Sequence, residues 1–216
     1  MKWIIDTDYS SNSQELIKLL LKNKLDIIAI TLSSLHGLDH LYSIKTTVEK
    51  DLIKNNKHIP VYAGASQSYI NFQKELNDVK LENPYSLDSF DIDVVKHDKD
   101  INVDESAAVN IINLIKKHKK DLNILCLSQL TNLSLSILID SSIKDEFNCL
   151  YLVGGSTTGL SNSGVASESN FRNDPIAAKN VILYYNNILV LPIELELYAI
   201  DISNFNYLSN YVENMR

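Results

Sequence analysis

Asp6 and Asp8 flank Thr7 at the end of a short apolar run, Trp3-Ile4-Ile5, and the next residues, Tyr9-Ser10-Ser11-Asn12-Ser13-Gln14-Glu15, read as a turn and a helix start. A buried strand that delivers carboxylates into a turn is where parallel-sheet enzymes place acids, bases and cation ligands. A cation held at such a place would need more carboxylates in the turn. This turn supplies Asn12 and Ser13 where more carboxylate would be needed. The pattern is that of an enzyme scaffold whose reactive centre has been thinned out.

The elements that must position these residues are legible from the alternation of short apolar and longer amphipathic runs. Strands are expected at Trp3–Ile5, Ile27–Thr31, Val61–Ala63, Asn123–Leu127, Leu150–Val153 and Ile188–Leu191. Helices are expected at Ser13–Lys22, Leu41–Lys54, Asp104–His118, Leu130–Asp140 and Asp174–Tyr185. Asn12 followed by Glu15 fits a capping box for the first helix. Asp104-Glu105 and Asp174-Pro175 are good helix starts, with acid near the N-terminus or proline at the first helical position. Continuous apolar strands alternating with helices predict an α/β fold, a mainly parallel sheet with helices on both faces. Residues 66–100 are polar and poorly periodic and read as a long irregular excursion. Residues 198–216 have mixed character and are expected to form one helix.

Composition excludes several functions. The chain has 216 residues, enough for one sizeable core. A net charge of -7 argues against a nucleic-acid surface. No apolar run is long enough to span a bilayer. The first residues meet acid too early for a signal or transit peptide, and the reading is a cytoplasmic protein. Cys126 and Cys149 lie in apolar segments and read as buried reduced thiols. The six glycines form neither a G-x-G-x-x-G turn nor a phosphate loop. No G-x-S-x-G elbow is present. His58 and His118 follow lysines near helix ends and read as solvated. His36 follows the second strand, where a functional side chain could sit, although a structural role is the simpler reading.

Four segments, taken in order, resemble the inosine–uridine-preferring nucleoside hydrolase family. They are Ile5-Asp6-Thr7-Asp8 with its helix, Ile59-Pro60-Val61-Tyr62-Ala63-Gly64-Ala65, Val103-Asp104-Glu105-Ser106-Ala107-Ala108 leading on to Leu130-Thr131-Asn132-Leu133, and Leu152-Val153-Gly154-Gly155 continuing through Asn162 and Glu168-Ser169-Asn170 to Asp174-Pro175. The resemblance implies a single domain over residues 1–216, lacking the family's C-terminal third. It also implies cleavage of the N-glycosidic bond of a ribonucleoside by water, with a calcium ion gripping water and ribose diol and an aspartate taking the proton.

Carried over residue by residue, the resemblance makes Asp8 a metal ligand and Asp6 its supporting aspartate. Asn12 stands where the base is expected, and an amide has no useful basicity; general base catalysis is worth roughly 10²–10⁴-fold. Ser13 stands where another metal carboxylate is expected. Ser10 and Tyr9 replace the turn's glycine and proline. Leu127 falls near a backbone carbonyl offered to calcium. The histidine-glycine loop has no counterpart in residues 66–100, and the C-terminal His-Asp pair has none before Arg216. Asn162, Glu168 and Asn170 match the sugar-binding residues, which suit hydroxyls because Asn and Glu donate and accept; local loop chemistry is an equal reading of them. Asp6 and Asp8 have an alternative role as turn formers. Asp104 and Asp174 read best as helix starters, and Thr131-Asn132 as a turn or helix-start feature; Glu194-Leu195-Glu196 could reach the pocket rim, with solvated acids the simpler reading. Gly154-Gly155 would let a backbone approach closely.

The resulting expectation is a catalytically impaired relative with no cofactor, or weak Ca2+ at Asp6 and Asp8. Its ligand would be ribose or a ribonucleoside, and its partner a protein or a second copy. The alternative is a working N-ribohydrolase completed by a partner or by Asp6, Asp8 and Glu168.

Overall fold

The computed structural model describes residues 1–69, 106–162 and 168–195. Six parallel strands form one sheet: β1 (Lys2–Thr7), β2 (Asp26–Leu32), β3 (Val61–Ala63), β4 (Leu122–Cys126), β5 (Cys149–Val153) and β6 (Ile188–Leu191). Their spatial order is β3-β2-β1-β4-β5-β6. The intervening helices are α1 (Ser11–Lys22), α2 (Leu38–Lys54), α3 (Ala107–His118), α4 (Thr131–Ile139), α5 (Ser169–Asn173) and α6 (Pro175–Tyr184). The parallel sheet expected from the apolar runs is therefore present.

The strands have two buried faces, which is why they read as continuous rather than alternating apolar runs. Trp3 and Ile5 pack with Ile17 and Leu20 of α1 and Ile44 and Val48 of α2. Ile4 points the other way, against Ile111 of α3 and Leu133 of α4. On β4, Ile124 and Cys126 join this second cluster and Leu125 joins the first. Strand β2 carries an irregularity. Trp3 pairs with Ile27 but Ile4 with Ala29, so Ile28 is an extra residue. A bulge of this kind resets the alternation. Ile27 and Ile30 thereby serve one cluster while Ile28 and Ala29 serve the other.

Chain direction reverses its order at β1: β2 lies on one side and β4 on the other. Loops leaving β1 and β4 part at this point and open a crevice at the carboxyl ends of the strands. The same strand order serves dinucleotide folds, but the loop here is Asp8-Tyr9-Ser10, without the glycines a pyrophosphate needs.

Several local expectations are corrected. Helix α1 begins at Ser11 with Ser10 as N-cap and no side-chain cap bond, so Asn12 is a helical residue and the Asn12–Glu15 capping box does not form. Four short polar residues stand in a row there, and each could have capped. Helix α2 starts at Leu38 rather than Leu41 because Gly37, at φ 89°, makes the entry turn. Helix α5 was not foreseen; five residues show no period. Cys126 is buried and Cys149 partly exposed, both free thiols. Asp104 and the expected helix at residues 198–216 fall outside the described residues, as do residues 70–100 of the expected excursion. No helix among the described residues is long and apolar enough to cross a membrane.

Candidate active site at the sheet's carboxyl edge

Asp6 is fully buried at the end of β1. Its Oδ1 accepts from Thr31 Oγ1 at 2.6 Å and from Asn132 Nδ2 at 2.8 Å. The Cys126 thiol donates to Oδ2 at 3.7 Å. Asn132 also donates to Leu32 O at 3.0 Å, and its own Oδ1 accepts the Ala65 N–H at 2.8 Å. One amide thus ties the exits of β1, β2 and β3 to the start of α4. Gly64 is required by this closeness, since a Cβ there would collide with the Asn132 amide and come within 2.5 Å of Leu32 O. Thr131-Asn132 do open helix α4, as expected, and Asn132 is in addition the hub of the site's frame. The sequence offered no signal for this, because its partner Asp6 is so distant in the chain.

Burial pushes the Asp6 carboxyl up to about 6, against the donors Asn132 and Thr31, which pull it down. The raised value means the folded state holds the proton more tightly than the unfolded state does. Stability from this group is full below pH 3.8 and is lost as pH rises through about 6. We expect urea unfolding of the chain between pH 4 and 7 to show a decline of about 3 kcal/mol from this source. Asp6→Asn should flatten that slope; an unchanged slope would mean Asp6 is ionised throughout.

Asp8 is partly exposed in the turn, and its Oδ1 accepts the Ser10 N–H at 3.0 Å. Loss of water around it raises its carboxyl above the usual range, while Ser10 and the His36 charge lower it. Tyr9 takes a left-handed conformation, φ 57°, which costs a non-glycine residue about 1–2 kcal/mol. Three bonds hold it there: Tyr9 N–H to Thr7 Oγ1 at 2.9 Å, Tyr9 O–H to Asp51 Oδ2 at 2.7 Å, and Gln14 Nε2 to Tyr9 O at 3.0 Å. Asn12 is exposed on α1. Ser13 is buried, with its hydroxyl 3.1 Å from that of Ser10.

Across the crevice, Ser33 and Ser128 hydroxyls meet at 3.1 Å. His36 lies beside Asp8 in charge terms, its pKa lowered by burial and raised in part by that carboxylate. Its N–H donates to Ser34 Oγ at 3.0 Å, and its ring stands edge-on to His40 at 5.0 Å. Ser34 Oγ is 2.8 Å from His40 Nδ1. His36 thus belongs to the crevice wall, a place its position after β2 had allowed.

These donors do not fit calcium. Asp6 Oδ1 already takes two donors, and Ser13 is engaged with Ser10. Among the described residues, no group of three His, Cys, Asp or Glu is placed to hold a metal ion. Leu127 stands at the β4 exit, where its N–H donates to Asp6 O at 2.8 Å.

Asn162, Glu168 and Asn170 come together at the exit of β5, on the same sheet edge but two strands from β1. Neighbouring strands are about 4.8 Å apart, which separates the two corners by roughly 10 Å at strand level. Glu168 is buried and caps α5. Its Oε1 accepts from Asn170 N–H and the Ser169 hydroxyl, its Oε2 from Gly155 N–H and Phe171 N–H. Four donors thus engage both oxygens of the Glu168 carboxyl. Asn170 Nδ2 donates to Val153 O at 2.8 Å, and exposed Asn162 accepts the Ser169 N–H at 2.9 Å. Gly154 allows the close approach expected of it, since a Cβ would sit 2.7 Å from Glu168 Oε2. Asp174 caps α6 as expected, accepting Ala177 N–H at 3.1 Å, and its Oδ2 also takes Thr131 Oγ1 at 2.7 Å. A cavity of about 310 Å³ lies beside the Asn132 hub, lined by Tyr42, Gly64, Ser66, Tyr69, Thr131 and Leu135 among others. Among the described residues, no charged side chain lines it.

An aspartate pair at the β1 exit and a polar corner at the β5 exit of one parallel sheet define a doubly wound α/β scaffold. The family model described as inosine-uridine preferring nucleoside hydrolase matches residues 3–214, and the chain belongs to that family. It is 34% identical over 76 residues to Probable uridine nucleosidase 1 of Oryza sativa subsp. japonica, covering 35% of this chain and 24% of that protein. Among solved structures it resembles a plant nucleoside hydrolase, with a TM-score of 0.68, 23% identity, and coverage of 89% of this chain and 60% of that one. The purine-preferring ribonucleoside hydrolase from Gardnerella vaginalis gives a TM-score of 0.67 at 20% identity, covering 89% and 61%. The chain thus spans about three fifths of these structures, and its match spans about a quarter of the rice protein.

Proposed function

We propose that the chain binds a ribonucleoside or ribose in the crevice and hydrolyses it poorly or not at all, serving as a binding or structural subunit. One observation carries this reading. Where the family's chemistry asks for carboxylates, the turn presents the exposed amide of Asn12 and the buried hydroxyl of Ser13, bonded to Ser10. Neither takes a proton from water near neutrality. Calcium, if it bound, would orient water and ribose; Asp6 and Asp8 alone fall well short of its usual oxygen count. Exposed Leu138, Ile139, Ile182, Leu183, Leu189 and Val190 support a protein partner or homo-oligomer.

The second reading is a working N-ribohydrolase. It is favoured by Asp8, the one partly exposed carboxylate of the pair, whose pKa is raised by loss of water around it. Inosine and uridine turnover, with calcium added, decides between them. Calorimetric binding of inosine with turnover at least about 10²-fold below a working relative supports the impaired reading. Turnover at a relative's rate, abolished by Asp8→Ala, overturns it.

A further inference from the structure

The loop after β5, Gly154-Gly155-Ser156-Thr157-Thr158-Gly159, has little stiffness of its own. It holds three glycines, with Gly155 at φ 77° and Gly159 at φ 79°. Glycine gains freedom in the unfolded chain and contributes no side chain to pack. Yet this loop gives Glu168 the Gly155 N–H, so its geometry decides where the β5 corner of the crevice stands.

A single residue far along the chain holds it. Glu194 Oε1 accepts from Ser156 Oγ at 2.7 Å, Thr157 N–H at 2.9 Å, Thr158 N–H at 2.8 Å and Thr158 Oγ1 at 2.7 Å. These donors pull the Glu194 carboxyl down to about 2, so it is ionised at any working pH. Beside it, Ile193 N–H donates to Gly155 O at 3.0 Å and Gly154 N–H to Leu191 O at 2.9 Å. The Gly155 peptide is therefore pinned at both ends, by Glu168 on its nitrogen and by the Glu194 turn on its oxygen. The sequence allows Glu194 to reach the pocket rim, with a solvated acid the simpler reading. The structure gives Glu194 a different occupation.

We propose that Glu194 is a positioning residue for the ligand corner at β5: it fixes the Gly154–Gly159 loop and, through Gly155, the carboxylate of Glu168. The ligand part rests on the ribose reading above. Glu194 Oε2 is buried with no hydrogen-bond partner among the described residues, so replacing that oxygen with an amide nitrogen removes no bond. Glu194→Gln keeps the Oε1 acceptor, whereas Glu194→Ala removes it.

The test is amide hydrogen exchange of Gly155, Thr157 and Thr158 together with calorimetric inosine binding, on the unsubstituted chain and both variants. Glu194→Ala should speed exchange at these amides at least about tenfold and weaken inosine by a similar factor. Glu194→Gln should restore most of both. Unchanged exchange in Glu194→Ala overturns the positioning role whatever the ligand. Faster exchange with unchanged inosine affinity overturns the link to the ligand corner. If the unsubstituted chain binds no inosine or ribose, the ribose reading falls and takes the ligand link with it, while the exchange rates still decide whether Glu194 holds the loop.

Discussion

Asn132→Ala should cost about 3–5 kcal/mol of folding stability, the largest loss of any single substitution of a polar residue in the crevice. The reason is the number of groups one amide serves. Without it, Leu32 O and the Ala65 N–H lose their partners, and Asp6 keeps only Thr31 on Oδ1. Each orphaned buried group costs about 1–3 kcal/mol, and the missing side chain leaves a void in a fully buried place. Urea unfolding measures the total. Amide exchange at Ala65 reads the local effect, because that N–H would be held by nothing else the structure shows. A loss below about 1 kcal/mol would mean that water or a rearranged side chain replaces the amide.

Asn12→Asp together with Ser13→Asp should raise calcium affinity enough that calcium stabilises the chain. The two positions differ. Asn12 is exposed, so a charge there is nearly free of desolvation cost. Ser13 is buried, so an ionised carboxylate beside Asp8 is costly unless a cation neutralises it. The double variant should therefore melt lower than the unsubstituted chain in chelator and recover in millimolar calcium. At a hundredfold excess over Kd, the recovery is about 2.7 kcal/mol. The unsubstituted chain should show no comparable shift. A double variant with no gain in calcium affinity would mean the turn has been aligned wrongly with the family's.

Much of this fold could be read from the chain before any coordinates. Val61–Ala63 and Ile188–Leu191 fall where the apolar runs put them, and the other strands differ by one or two residues at an end. Strands buried on both faces announce themselves by unbroken apolar runs. Local signals fail where several residues compete for one job. Ser10, Ser11, Asn12 and Ser13 are all plausible caps, and only tertiary packing of Tyr9 against Asp51 selects the helix start. The Ile28 bulge leaves no mark in a run of apolar residues.

The site was legible as two corners, not as a working arrangement. Asp6 and Asp8 stand at the β1 exit, and Asn162, Glu168 and Asn170 gather at β5. What spacing could not give is how these groups are employed. Capping a helix and gripping a sugar use the same acceptors, and Glu168 is engaged as a cap. Asn132, Glu194 and His36 owe their places to partners brought near only by folding.

The Asn132 hub has one more consequence. It joins three strand exits through Asp6, Leu32 and Ala65, and none of those bonds runs through Asp8, Asn12 or Ser13. Within residues 6–13 the frame thus runs through Asp6, while Asp8, Asn12 and Ser13 stand outside it. A lineage can lose or regain its catalytic acids at that turn without disturbing the beams around it, and such a protein can drift between enzyme and receptor by a few substitutions.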